Sequence, residues 1–204
     1  MNINDVEDLK ELKEPAISFL LKRQAELAEK YKEIEGRPNS PMDIHTKETQ
    51  IWVKDFFWRV TEELMEAREA WRRGEIVHYS EELSDALHFY LEVFFILDID
   101  PNVSDDDILN YIRDYFDIID DELDKLIMNI IYRLGLAGNH LRNKKWKQTQ
   151  VFVDKQLFQA ELIRGFWNLL TLIGTTVKLK DIMGFVNLYY RKFTVNQFRQ
   201  RSKY

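Results

Sequence analysis

The sequence predicts an all-α protein, one helical domain over residues 1–204 with a four-helix-bundle-like core. Three observations carry that prediction. Glycine and proline are scarce, seven and four in 204 residues. Neither occurs between Met42 and Arg73, between Glu75 and Asp100, or between Asn102 and Leu134. Strands and hairpins need frequent turn punctuation, whereas long helices do not. The apolar positions also recur at helical spacing, as in Leu9, Leu12, Ile17, Leu20, Leu21, Leu27, Ala28 and Tyr31.

The elements follow in order. A first helix is expected from about Val6 to Ile34, with Pro15 opening its main part. Gly36–Pro41 is a loop. A second helix runs from about His45 to Arg73 and ends at Gly74. Ser80 is the expected N-cap of a third, buried helix over Glu82–Leu97. Ser104, with Asp105, Asp106 and Asp107, marks a further helix start, since acids suit the positive end of the helix dipole. That helix is expected to reach Leu134. Gly135 and Gly138 then mark a bend into Asn139–Lys147. Two more helices are expected over Gln150–Ile173 and Lys178–Lys192, followed by a polar, basic tail. No internal repeat and no Gly/Ser-rich linker interrupts the chain.

Composition narrows the function. Apolar residues make up 45%, aromatics 13% and charged residues 31%, which excludes disordered and low-complexity classes. Cysteine is absent, so disulfides, thiolate metal sites and a Cys nucleophile are excluded. No run of about 18 apolar residues exists and the acidic start lacks a signal-peptide core. The expectation is a soluble cytoplasmic protein without membrane partners. Net charge is −6 but uneven. Asn139–Tyr204 holds 13 Lys and Arg against three Asp and Glu; Met1–Gly138 holds 16 against 32. A solvated acidic surface with a basic tail explains this. So does an enzyme of metal-bound nucleotides, which needs carboxylates for the cation and Lys/Arg for phosphates.

The informative local pattern is Glu63-Leu64-Met65-Glu66 followed by Glu82-Leu83-Ser84-Asp85. Acids at i, i+3 share a helix face. The short connection makes the two helices antiparallel neighbours. Glu66 and Glu82 each lie eight residues from Gly74, and Glu63 and Asp85 each lie eleven away. Four carboxylates therefore converge across one seam, where they repel unless a cation neutralises them. Oxygen-only ligands favour Mg²⁺ or Mn²⁺. A di-iron bundle wants two Glu-x-x-His pairs, and only Asp85-x-x-His88 approaches one. Surplus acid on these helices, at Glu62, Glu69, Glu75 and Glu81, is the competing explanation. His88, among Leu87, Phe89 and Leu91, is expected behind the ligands rather than as one. Near the C-terminus Lys192 and Arg199 flank Asn196 at helical spacings, a set suited to phosphate oxygens. A basic helix end favoured by its dipole is the alternative.

Together these residues resemble the all-α nucleoside triphosphate pyrophosphohydrolases. The late segment resembles that of the dimeric dUTPases and tailed-phage dCTPase-dUTPases, in Tyr189, Lys192, Asn196, Phe198, Arg199, Gln200 and Tyr204. Leu20–Leu27 resembles the first motif of that family, with Gln24 as its glutamine, and Trp52 has a counterpart in the phage enzymes. The chain departs from the pattern at Phe193, Arg201 and Lys203, positions that bear on base choice and phosphate geometry. Gly138–Lys147 has no assigned role; it reads as a substrate-covering loop or a solvated basic loop.

The resemblance implies a Mg²⁺-dependent dUTP diphosphatase, with dCTP a further substrate, cleaving between the α- and β-phosphorus to give the monophosphate and pyrophosphate. It implies two or three Mg²⁺ ions on Glu63, Glu66, Glu82 and Asp85, with Mn²⁺ able to substitute. Glu66 or a neighbour would serve as base. Lys192, Arg199 and Tyr204 would bind phosphate. Gln24, Asn196 and Trp52 would face the base, with Trp52 otherwise a core residue. A homodimer is implied, and nucleic acid is not the expected partner. The alternatives are a MazG-like pyrophosphatase of other dNTPs and a non-enzymatic helical module binding nucleic acid through its basic end.

Overall fold

The fold is built on one helix that is apolar nearly all round. In a computed structural model describing residues 7–113, 120–144, 146–148 and 151–202, seven helices and no strand occur among the described residues. They are α1 (Ala16–Glu35), α2 (Lys47–Arg72), α3 (Ile76–Leu97), α4 (Asp105–Arg113), α5 (Asp120–His140), α6 (Lys155–Thr176) and α7 (Ile182–Arg201). α3 buries Leu83, Leu87, Tyr90, Leu91 and Phe94, among others. A helix with this pattern must be covered on several sides. α2 and α6 cover two of them, and α1 and α7 the others. α5 pairs with α6 and also touches α2. No described helix is long and apolar enough to cross a membrane.

The helix ends follow from local chemistry. Thr46, Asp154 and Asp181 each accept a hydrogen bond from the first turn of α2, α6 and α7. Ser104 and Asp107 form a reciprocal cap on α4: Asp107 N–H donates to Ser104 Oγ and Ser104 N–H to Asp107 Oδ2. Gly74 has φ of 72°, the left-handed conformation that reverses the chain between α2 and α3.

Several boundaries differ from the sequence reading: α6 starts at Lys155 and α7 at Ile182, each after its capping Asp, later than the expected Gln150 and Lys178, and the span expected as one helix from Ser104 to Leu134 holds α4 and α5. Residues 7–14 precede α1 without forming helix. α3 starts at Ile76 instead of after Ser80, because Gly74 completes the reversal by itself. Ser80 lies inside the helix and its hydroxyl donates to the Ile76 carbonyl. α5 runs through Gly135 and Gly138 to His140, since Gly138 lies against Phe57 and tertiary packing outweighs glycine's weak helix propensity. α7 runs to Arg201, so the expected tail is helical and buries Phe193 and Val195. That last correction matters most: Lys192, Asn196 and Arg199 share one face of α7.

α6 packs closely on α3 at Gly165. A Cβ there would collide with Tyr90 Oη, which donates to the Leu162 carbonyl at 2.8 Å, and lie 3.2 Å from Arg133 Cβ. Gly165→Ala is expected to cost about 1–3 kcal/mol by overpacking. Urea denaturation measures the loss, and adding Tyr90→Phe should recover part of it.

Candidate metal centre and ligand cavity

The α2–α3 hairpin brings Glu63, Glu66 and Glu82 together. One carboxylate oxygen from each lies within 4.8 Å of the others. Glu82 is buried, Glu63 half-buried and Glu66 exposed. Burial, a hydrogen bond to Glu82 and the negative charges of Asp85, Glu82 and Glu66 push the Glu63 carboxyl up to about 9. At neutral pH Glu63 therefore carries a proton that it donates to Glu82. A cation would serve in place of that proton, and the all-oxygen donor set fits a hard divalent ion. His78, unforeseen in the sequence, places Nδ1 3.0 Å from Glu82 Oε1.

Asp85, the fourth acid, borders this group and is paired instead with Lys192 of α7. Burial pushes its carboxyl up to about 6, against the pull of Lys192. Two contacts from α3 set the position of α7. Ser84 Oγ donates to the Leu188 carbonyl at 3.0 Å, and the His88 ring stacks on Tyr189 with centroids 3.8 Å apart. These contacts place Lys192 one turn further on, above Asp85.

A cavity of about 300 Å³ opens beside the carboxylates. Glu63 and Asp85 line one end, and Lys192, Asn196 and Arg199 line the α7 wall. Towards the other end are Phe56, Phe89, Leu27 and Tyr31, together with Arg59 and the carboxylates of Glu35 and Glu92. The Phe56 and Phe89 rings lie 6.4 Å apart, and the Arg59 guanidinium lies over both, 5.1 and 5.5 Å from their centroids. Arg59 also donates to Glu35 at 2.8 Å. The side chains of Asn196 and Arg199 make no hydrogen bond to a described residue.

The floor is a buried polar network. Glu92 pairs with Arg37 at 2.6 Å and accepts from Gln24 Nε2. Burial raises the Glu92 carboxyl despite that arginine. Gln24 Oε1 accepts from Tyr189 at 2.8 Å and lies 3.0 Å from His88 Nδ1. Full burial drives His88 down to about 3, so the ring is neutral and carries one N–H between two acceptors, Gln24 Oε1 at Nδ1 and the Tyr189 carbonyl 3.3 Å from Nε2. His88 thus lines the cavity from its floor, beside Gln24.

Seven of the residues singled out in the sequence line one cavity: Gln24, Glu63, Asp85, His88, Lys192, Asn196 and Arg199. Gln24 reaches it with its amide already committed to Glu92, Tyr189 and His88. Trp52 does not line it; the ring is half-buried against the core, 6.3 Å from Phe56. Tyr204 and Lys203 lie outside the described residues. Phe193 is buried between Tyr189 and Tyr190 and faces the core, and Arg201 is exposed. Of Gly138–Lys147, Asn143 is a buried anchor whose backbone N–H donates to Gln50. Arg59, Phe56, Phe89 and Glu92 were missed, although a signal existed. Arg59 and Phe89 are each fifteen residues from Gly74, and Phe56 and Glu92 each eighteen. The mirror rule that pairs the acids also pairs these. A larger cavity of about 740 Å³ lies between the start of α1, the end of α3 and the start of α4. Its acids include the exposed Asp98, Asp100 and Asp106, and none of the candidate metal, phosphate or base residues lines it.

The raised Glu63 carboxyl makes stability depend on pH. Its folded value exceeds the ordinary 4.5, so its stabilisation is complete below about 4.5 and is lost as pH rises towards about 9. Glutamine mimics the protonated form at every pH. In EDTA, Glu63→Gln should melt with wild type at pH 4. At pH 8.5 it should melt about 2–4 °C above wild type, the shift of about 1 kcal/mol in a domain this size, after discounting for a half-exposed group. Thermal melts across pH check this.

Comparison with protein-family models, curated proteins and solved structures yields no match for this chain.

Proposed function

We propose that this chain is a divalent-metal-dependent nucleoside triphosphate diphosphatase acting on pyrimidine deoxynucleotides, dUTP first and dCTP as a further substrate. The observation that carries the reading is one cavity with carboxylates at one end, an uncommitted Asn and Arg beside a Lys on one wall, and aromatic rings at the other end. Its volume suits a small polar ligand.

Glu63, Glu66 and Glu82 would hold Mg²⁺, with Asp85 completing the donor set. When bound, a hard divalent ion supplies charge neutralisation and water activation. Glu66, the most exposed acid, accepts the proton of the attacking water. The water oxygen bonds to the α-phosphorus as the bond to the bridging oxygen breaks. Pyrophosphate leaves with the bridging electron pair. Lys192, Arg199 and Asn196 bind the β- and γ-phosphate oxygens and offset that charge, so positioning and electrostatics do most of the work. The base faces Phe56 and Phe89 rather than Trp52. Gln24 acts indirectly, by fixing His88 and Glu92.

A homodimer belongs to the same proposal. Ile51, Trp58 and Met65 recur every seven residues on the outer face of α2 and are exposed. An antiparallel second copy pairs Trp58 with itself and Ile51 with Met65, the self-complementarity that a two-fold interface requires. Light scattering should show a dimer, and Trp58→Glu should give a monomer.

Pyrophosphate release from a panel of dNTPs, UTP and dUDP, with Mg²⁺ or EDTA, tests the activity. Mg²⁺-dependent release from dUTP is expected. Glu63→Gln and Asp85→Asn should each lower turnover about 100-fold or more, as lost ligands do. Retention above about a tenth of wild-type turnover would reject the metal centre. Release from purine nucleotides alone keeps the centre and rejects the pyrimidine reading. No release from any nucleotide rejects the enzyme.

A further inference from the structure

The cation that Asp85 holds is Lys192, and the same lysine heads the wall of phosphate donors. Both side chains are largely withdrawn from water, at 16% and 14% exposure. Lys192 has no second ion-pair partner among the described residues. Four and seven residues further along the same face of α7, the side chains of Asn196 and Arg199 have no hydrogen bond to a described residue to give up. One ammonium therefore stands between two demands. A divalent ion on Asp85 repels it, and a polyphosphate along α7 attracts it.

We infer that Lys192 is an exchangeable internal counter-ion, which leaves Asp85 when either a divalent cation or a polyphosphate binds, so that each ligand prepares the site of the other. The inference rests on the reading of the carboxylates as a cation site. Its physical basis is linkage. Breaking the Asp85–Lys192 pair costs free energy once, and whichever ligand breaks it spares the second ligand that cost. The coupling is reciprocal by necessity. A lysine serving only as a phosphate ligand gives no such pattern, since it has no bond to a cation ligand to exchange. The arrangement also disfavours polyphosphate held without its metal, because drawing Lys192 away then leaves the Asp85 carboxylate without a cation.

Two measurements without turnover test this on the full chain. Mn²⁺ binding is read by electron paramagnetic resonance without nucleotide, and inorganic tripolyphosphate binding by calorimetry in EDTA. Lys192→Met should tighten Mn²⁺ about tenfold, within the usual range of coupling between sites. Arg199→Met removes the same charge from the same wall; Arg199 acts on Asp85 only at a distance and is not its ion-pair partner, so its effect should stay below about threefold. In EDTA, Asp85→Asn frees Lys192 and should tighten tripolyphosphate about tenfold, and Glu63→Gln should change it less than about threefold. Lys192→Gln, closer in polarity, should reproduce the Met variant, and melting curves establish that each variant is folded. Equal effects of Lys192→Met and Arg199→Met on Mn²⁺ would overturn the inference, as would no gain from Asp85→Asn. Either result leaves the cation site standing. Mn²⁺ binding that does not depend on Glu63 or Asp85 would overturn the cation site itself.

Discussion

Like charges facing each other across a single helix seam are the constraint on which the rest of this structure depends. Carboxylates from two adjacent helices cannot share a half-dry space as full anions, because burial and mutual repulsion both favour the neutral form. Here the conflict is met in two ways within a few ångströms. Glu63 takes a proton and shares it with Glu82, while Asp85 takes an ammonium from α7. The register that brings them together is set by one residue. Gly74 adopts a left-handed conformation, which lets α3 begin two residues later and fixes which positions face each other. A longer turn would shift the register and separate the acids.

The second buried charge set does a different job. Glu92 and Arg37 are almost completely withdrawn from water, and the pair is extended by Gln24, Tyr189 and His88. Removing one partner of such a pair leaves an uncompensated charge, which costs far more than the pair contributes. The network is therefore better understood as a device for position than for stability. It joins α1, α3 and α7 through side chains at one level, just beneath the cavity. The Ser84 hydroxyl and the stacked His88 ring then hold α7 at Leu188 and Tyr189. The reach of Lys192 to Asp85 depends on that placement.

Much of this was legible in the sequence, for stated reasons. Helix class followed from glycine and proline scarcity, and the meeting of Glu63, Glu66 and Glu82 followed from two i, i+3 pairs placed symmetrically about Gly74. The same symmetry contained Arg59, Phe89, Phe56 and Glu92, but without a charge pattern to draw attention to them. The helical state of the last segment was hidden by its polarity, since Arg199, Gln200 and Arg201 read as tail. The buried Phe193 and Val195 show that tertiary contact decides there. Gly135 and Gly138 misled for the converse reason: local propensity suggests a break, and packing of α5 on α2 and α6 overrides it. Trp52 shows the limit of reading single residues, because its spacing places it on the helix but not on the cavity.

The site and the fold therefore pull against each other at defined atoms. An apolar seam at Glu63, Glu82 and Asp85 would hold α2 and α3 together more firmly than one that needs a shared proton and a borrowed lysine. Residues that oppose stability in this way mark places where a structure is arranged for something other than folding. The compensation is also local. Glu63 and Asp85 border the same cavity as Asn196 and Arg199, two polar groups held there without hydrogen bonds. Excess negative charge at one end calls for a cation, and the donors of the adjoining wall, hydrated where Arg199 is exposed and Asn196 half-buried, are open to an anion. A ligand pair of a hard cation and a polyanion meets both at once, and that complementarity ties the chemistry of this cavity to the physics of the fold around it.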